Sequence, residues 1–117
     1  MVDIIPHIKE LLQPLNAQIE QAFPDTTVTA PLITLRVISD IATTNKCVEV
    51  FTRIVVQIDA YTRDKDETFA LYQSINEIMT ENGFTRNNAF PLSEGAFERY
   101  QMTYSCGIDI SRNRIIV

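Results

Sequence analysis

The stretch VEVFTRIVVQIDAY, residues 48–61, decides the fold of this 117-residue chain. From Val48 to Ala60 every second residue is apolar or a threonine, and the residues between them are mixed. Period two is the repeat of a β-strand, whose successive side chains point to opposite faces. A strand of about 14 residues at roughly 3.3 Å each is about 45 Å long, which exceeds the depth of a small globule. We therefore expect part of it to project as a ribbon that needs a partner, or to bend at a bulge.

The preceding segment predicts the other strand of a hairpin. Ile33, Leu35 and Val37 lie on one face of an alternating run over residues 32–39, and the threonine-rich residues 40–46 predict a flexible loop. We expect contacts between subunits at this loop and at two charges of the long strand, namely Asp40, Thr43, Thr44, Asn45, Lys46, Glu49 and Arg53. For Glu49 and Arg53, which share a face with Asp59, charge pairing across the sheet is the alternative.

Two amphipathic helices are predicted, one on each side of the hairpin. In the first, apolar residues from Ile4 to Phe23 recur at spacings of three and four, with a kink expected at Pro14. The second begins at a capping box formed by Asp64 and Glu67. It ends at Gly83, where a left-handed residue would let Phe84 fold back onto Met79.

The region after the second helix is less regular. Breakers at Pro91, Ser93 and Gly95 predict a short strand or irregular segment and then a turn, before a last clear strand from Phe97 to Cys106. The apolar C-terminus either adds an edge strand to its own sheet or docks onto a neighbouring molecule. The contact residues expected in the turn and tail are Pro91, Glu94, Arg112, Arg114, Ile115, Ile116 and Val117.

These elements predict an α+β fold with the order α-β-β-α-β-β. We expect a mainly antiparallel sheet of about four strands with a long β-hairpin, and two helices packed on one face. Residues 1–117 suit a single domain, with a radius of gyration of roughly 13 Å. No apolar run reaches the roughly 20 residues of a membrane span, and no basic segment suggests a signal peptide. A soluble, intracellular-type protein is expected.

The charge distribution narrows the partners. The net charge is −5, and most of the acidic excess lies in the two helical segments, which speaks against nucleic-acid binding through a basic surface. A solvated helical face explains this distribution. The alternative is a functional acidic surface, such as a channel wall that repels phosphate.

Residues suited to catalysis are scarce. His7 is the only histidine, and Cys47 and Cys106 are too far apart in sequence for a metal knuckle or a redox pair. Free thiols, or a disulfide between neighbouring strands, remain open for the cysteines. No phosphate-binding loop or nucleophile elbow is present. We therefore expect no enzyme, no cofactor and no bound metal.

Three stretches together resemble a known family. They are Val56-Gln57-Ile58-Asp59-Ala60-Tyr61, Met79-x-x-x-Gly83-Phe84 and Glu98-Arg99-Tyr100-Gln101-Met102-Thr103-Tyr104. With the order of elements over nearly the whole chain, they resemble the tail-terminator, or tail-completion, proteins of long-tailed bacteriophages. The resemblance implies a structural virion protein at the head–tail junction, assembled in the host cytoplasm. It implies a ring, usually hexameric, that caps the tail tube, stops tube polymerisation and joins the tail to the head connector or stopper protein. DNA would pass through the lumen without specific binding.

Two other functions stay open. One is another connector or tube component of the same particle, although a tube protein should have a larger sheet and a longer arm. The other is a small cytoplasmic α+β ligand-binding or regulatory module. Such a module needs a concave pocket with convergent polar groups, and the sequence alone reveals none.

Overall fold

The computed structural model describes residues 4–15, 17–20, 31–45, 48–94, 97–109 and 114–116. The helices are α1 (Ile4–Leu12), which continues into a 3₁₀ turn (Gln13–Leu15), and α2 (Lys65–Glu81). The strands are β1 (Gln18–Glu20), β2 (Leu32–Asn45), β3 (Val48–Thr62), β4 (Thr85–Glu94), β5 (Phe97–Asp109) and β6 (Arg114–Ile116).

All six of these strands belong to one sheet, in the order β1-β2-β3-β5-β4, with β6 also paired to β5. The predicted α+β class is confirmed, but the prediction of about four strands is wrong. The strands β1 and β6, of three residues each, were too short to show a period in the sequence. Because β1 runs parallel to β2 while the other pairs are antiparallel, the sheet is mixed.

The hairpin of β2 and β3 is longer than the sequence predicted. Residues 40–45 are not a loop: they continue β2 and pair with β3 as far as Asn45 opposite Val48. Threonine favours strands because its branched side chain suits a pleated surface, so a polar threonine run is compatible with a strand at this position. The register shifts between Val37 and Ser39, where Ile38 is the extra residue of a bulge, and again between Thr43 and Thr44.

The first helix is shorter than predicted. It ends at Leu12, the 3₁₀ turn contains Pro14, and Ile19 lies in β1 rather than on a helical stripe. Proline cannot donate the next helical hydrogen bond and its ring clashes with the preceding turn, so the helix stops instead of kinking. The predicted helical position Phe23 lies outside the described residues.

The second helix begins and ends by different means. The predicted capping box is wrong, because the Asp64 side chain makes no capping bond. Instead the Asp64 carbonyl accepts hydrogen bonds from the hydroxyls of Thr62 at 2.6 Å and Thr68 at 2.8 Å. The predicted stop is confirmed: Gly83 has φ 90°, and the Phe84 N–H donates to the Met79 carbonyl at 3.0 Å.

Both helices pack on one face of the sheet. Ile8 and Leu12 of α1 join Ile75 and Met79 of α2 in a single core. The sheet residues of that core come from the same face of their strands: Ile33, Leu35, Ile54, Val56, Ile58, Ala60, Met102, Tyr104, Cys106 and Ile108. The molecule measures 51 × 25 × 22 Å, with a radius of gyration of 15.1 Å. It is more extended than the expected 13 Å, because the hairpin lies along the long axis.

Residues 85–94 form a full strand, β4, rather than a short strand followed by a turn. Pro91 pairs with Tyr100 of β5, and in the described residues β4 has no other neighbour. Proline is tolerated in an edge strand when its missing N–H would point away from the sheet. The last long strand also exceeds its prediction and continues to Asp109, because β3 and β6 flank it there.

Candidate assembly surface

The predicted contact residues fall at two opposite ends of the sheet. At the hairpin end, Asp40, Thr43, Thr44, Asn45, Glu49 and Arg53 lie on β2 and β3. Arg114, Ile115 and Ile116 lie beside them on β6, because Gly107 of β5 pairs with Arg53 on one side and with Ile116 on the other. Pro91 and Glu94 lie at the far end, near the start of α2 and β5. Lys46, Arg112 and Val117 lie outside the described residues.

The C-terminal strand resolves one of the alternatives. Ile115 pairs with Ile108 and Ile116 with Gly107, so the tail adds a strand to its own sheet. It occupies the side of β5 that β4 leaves open, since β4 pairs with β5 only as far as Ser105. Residues 114–116 of the tail, for which docking onto a neighbouring molecule was the alternative, therefore pair with β5 of their own chain.

The sheet face opposite the helices carries a polar network centred on Asp59. The Arg99 Nε donates to Asp59 Oδ1 at 3.1 Å, and Gln57 Nε2 donates to Oδ2 at 2.8 Å. Arg36 Nη2 donates to Gln57 Oε1 at 3.0 Å, which extends the network across β2, β3 and β5. Arg53, expected to pair with a charge across the sheet or to contact a neighbouring subunit, donates to Ser105 Oγ at 3.5 Å. A charge pair across the sheet is formed by Arg99 and Asp59, and Arg99 lies opposite Tyr61 of β3, eight residues from Arg53.

An aromatic cluster lies between α2 and β5. The rings of Tyr72 and Tyr100 stack with centroids 4.2 Å apart and planes 9° apart, and Phe69 packs beside both. Arg86 of β4 donates to the Tyr72 hydroxyl. Tyr104 is fully buried and donates to Asn76 Oδ1 at 2.9 Å. Burial raises the pKa of the Tyr104 hydroxyl, and the nearby Tyr72 adds to the increase. Tyr72 and Tyr104 are buried in the core, and Tyr100 packs half-buried against it.

A cleft of about 490 Å³ opens at the far end of the sheet. Apolar groups on its wall are Phe69, Pro91, Leu92 and Tyr100, and its charged groups are Lys65, Asp66, Glu98 and Arg99. No pattern in the sequence indicated this cleft, because its walls come from α2, β4 and β5 and meet only in the folded chain.

Exposed apolar side chains mark the two edges of the sheet. Among the side chains that the structure describes, the large ones are Val37 (42%), Ile38 (46%), Phe69 (44%), Phe90 (39%) and Leu92 (37%). Val37 and Ile38 lie on β2, Phe90 and Leu92 lie on β4, and Phe69 lies in the cleft beside β4. Sequence reasoning missed them as a surface group, since alternation placed Val37 on one face with Ile33 and Leu35, which are buried. The bulge at Ile38 is visible only in the register.

Titratable groups suited to catalysis remain sparse in the described part of the chain. His7 stacks on Phe84 with ring centroids 6.5 Å apart, and no group of acidic, histidine or cysteine residues there is arranged to hold a metal ion. Cys106 is buried and free, and burial raises the pKa of its thiol to about 11. Cys47 lies outside the described residues. No described helix is long and apolar enough to cross a bilayer.

Comparison with known proteins leaves the family open. No protein-family model matches this sequence. No curated protein matches it either.

Proposed function

We propose that this protein is a structural virion protein of the tail-terminator type, which forms a ring of six copies on the end of a phage tail tube. The order of the long elements, α1-β2-β3-α2-β4-β5, supports the proposal because it matches the order on which the resemblance rests. The ring stops tube polymerisation and joins the tail to the head connector or stopper protein. It acts at the head–tail junction of the virion after assembly in the host cytoplasm.

The long hairpin is the observation that carries this proposal. Beyond Val37, β2 continues for eight residues to Asn45, roughly 26 Å of strand. Val37 lies on the helix-covered face, yet it is 42% exposed while Leu35 is 1% exposed, so the helices do not cover the edge of the sheet at Val37. Opposite residues 40–43 the hairpin is flanked by β5, which pairs with β3 as far as Phe51 and Asp109, so only residues 44–45 and 48–50 form a two-stranded tip. Beyond Thr34, the outer edge of β2 has no strand partner among the described residues and offers an edge to other strands. A neighbouring copy would supply the missing contacts.

The charge distribution fits a passage for DNA. Asp66, Glu67, Glu77 and Glu81 of α2 are all exposed, and they lie on the side of the sheet opposite the arginine-containing polar network. A carboxylate-lined wall would let DNA slide, because it neutralises no phosphate and releases no counterions. We assign α2 to the wall of the lumen on this ground.

Solution mass is the first test. Light scattering over a range of concentrations, with negative-stain images of the same samples, should show closed rings of the 13.3 kDa chain. Adding a phage tail tube protein should yield tubes capped at one end and halted in growth. Tubes that elongate equally with and without this protein would contradict the terminator function.

A second candidate is supported by the cleft. The ligand-binding alternative required a concave pocket with convergent polar groups, and the cleft beside Phe69 brings Lys65, Glu98 and Arg99 together with apolar walls. Its volume of about 490 Å³ suits a small molecule. A screen of metabolites by thermal shift would support this candidate if a compound raises Tm in the native protein and not in Phe69→Asp.

A further inference from the structure

The described sheet has two outer edges of similar length that lack a strand partner, one on β4 and one on β2. β4 has 10 residues, and its outer edge has no strand neighbour among the described residues. β2 has 14 residues, of which the first three pair with β1, so eleven remain from Leu35 to Asn45 with an open outer edge in the described structure. Open edges of this kind pair readily with strands of another molecule.

We infer that β4 of one copy pairs antiparallel with β2 of the next copy, beginning at Leu35 and with Val37 opposite Pro91. The inference rests on the proposed function for the presence of a ring, and it names the surface on which that ring closes. It also assigns the cleft beside Phe69 a partner: the exposed Val37 of a second copy.

Strand direction supports the antiparallel choice. Three successive antiparallel pairings separate β2 from β4, so the two strands run in opposite directions within one chain. Copies related by rotation about one axis keep the same orientation along it. The β4 of each copy therefore meets the β2 of its neighbour antiparallel, and two different surfaces join head to tail, which closes a ring when the rotation allows it.

The faces of the two strands also agree. Val37 shares its face with Leu35 and the helical layer, and Pro91 shares its face with Tyr100 and the cleft. With Val37 opposite Pro91, the Val37 side chain falls over Phe69, and each covers apolar surface that is otherwise exposed. Arg36 then lies beside Leu92 on the other face, where its aliphatic stem can pack. This one register covers all five of the exposed large apolar side chains described above.

Pro91 limits the backbone contribution. A proline in an edge strand lacks the N–H that would point outward, so the ladder between copies loses one donor at this position. Side-chain contacts at Val37, Ile38 and Phe90 must then contribute much of the affinity. Such an edge resists indiscriminate pairing and favours a partner with apolar residues at the matching positions.

Disulfide trapping tests the contact. In a Cys47→Ser background, with the buried Cys106 retained, Ile38→Cys protein is mixed with Phe90→Cys protein and oxidised. We expect mixed covalent dimers in at least several-fold excess over either homodimer, because opposite positions in antiparallel strands bring Cβ atoms within about 5.5 Å. The matched control pairs Glu10→Cys with Glu81→Cys, two exposed helical positions away from both edges.

The results of these measurements distinguish a failure of the proposed edge contact from a failure of the proposed ring. Rings in native samples with no mixed dimer above the Glu10/Glu81 control would overturn the edge contact and leave the proposed function standing. Homodimers in excess would overturn it in favour of two-fold pairing. Abundant mixed dimers in a protein that forms open chains would support the contact and count against the terminator ring. As a second measurement, Phe90→Glu should lower the mass seen by light scattering without changing the far-UV circular dichroism.

Discussion

The guanidinium of Arg99 and the carboxylate of Asp59 form an ion pair across β5 and β3, with Nε and Oδ1 3.1 Å apart and side chains only 12% and 3% exposed. The pair lies on the sheet face that the helices leave open. Tyr61 borders it, with the Arg99 guanidinium carbon 5.6 Å from the ring centroid. A shielded pair of this kind is costly to break on one side, because the remaining charge stays out of water.

We expect Arg99→Met to lower the free energy of unfolding by about 3 kcal/mol, since it leaves the buried Asp59 carboxylate without its cation. The matched control is Arg63→Met, because Arg63 is exposed in the turn before α2. Urea unfolding followed by circular dichroism measures both. Equal effects of the two substitutions would show that the shielding of the Asp59 pair contributes nothing.

The start of α2 gives a second prediction. Thr62→Val should cost about 1 kcal/mol, because it removes the hydroxyl that donates to the Asp64 carbonyl and accepts from the Asp64 N–H. Asp64→Ala should change stability by less than about 0.5 kcal/mol, because the Asp64 side chain makes no capping bond. The same unfolding measurement compares them. A larger loss of unfolding free energy in Asp64→Ala would indicate that the Asp64 side chain caps α2, as the sequence predicted.

The thiol of Cys106 makes a third prediction, on pH. Burial raises its pKa from the usual 9.0 to about 11, so its contribution to stability is complete below pH 9 and is lost as pH rises towards 11. The unfolded chain releases this proton first, which favours unfolding in that window by on the order of 1–3 kcal/mol. The free energy of unfolding, measured at several pH values between 8 and 11, should fall more steeply with pH for the native protein than for Cys106→Ala. The buried Tyr104, whose pKa is also raised, is present in both proteins, so its effect on stability cancels in that comparison. An equal dependence of the free energy of unfolding on pH in the two proteins would contradict the prediction.

Removal of residues 112–117 gives a fourth prediction. Without β6, the outer edge of β5 at Gly107, Ile108 and Asp109 loses its strand partner. We expect the free energy of unfolding to fall by about 1–2 kcal/mol, in the range of a few lost backbone hydrogen bonds. Light scattering on the same samples reports assembly separately. Loss of assembly with unchanged stability would mean that the tail acts mainly between molecules.

The spacing of apolar residues and the positions of helix-ending residues predicted the long elements. The alternation from Val48 to Ala60 gave β3, and the stop at Gly83 and Phe84 was correct to the residue, because both signals arise from neighbours in the chain. The face of β5 that carries Met102, Tyr104 and Cys106 was also predicted, since side-chain alternation follows from the strand itself.

Tertiary structure decided what depends on distant neighbours. Residues 40–45 became strand because β3 lies beside them, and Ile19 became strand because β2 offers a parallel edge. Among the proposed contact residues with described side chains, Arg53 and Pro91 lie on opposite ends of the sheet, a separation that sequence spacing does not encode. The exposed edges and the cleft beside Phe69 likewise arise only when α2, β4 and β5 meet. The sequence by itself determined the local period, the breaks and the charge of each segment, because those follow from adjacent residues. Only folding determined which edges stay open, because hydrogen bonds across a sheet join residues far apart in the chain.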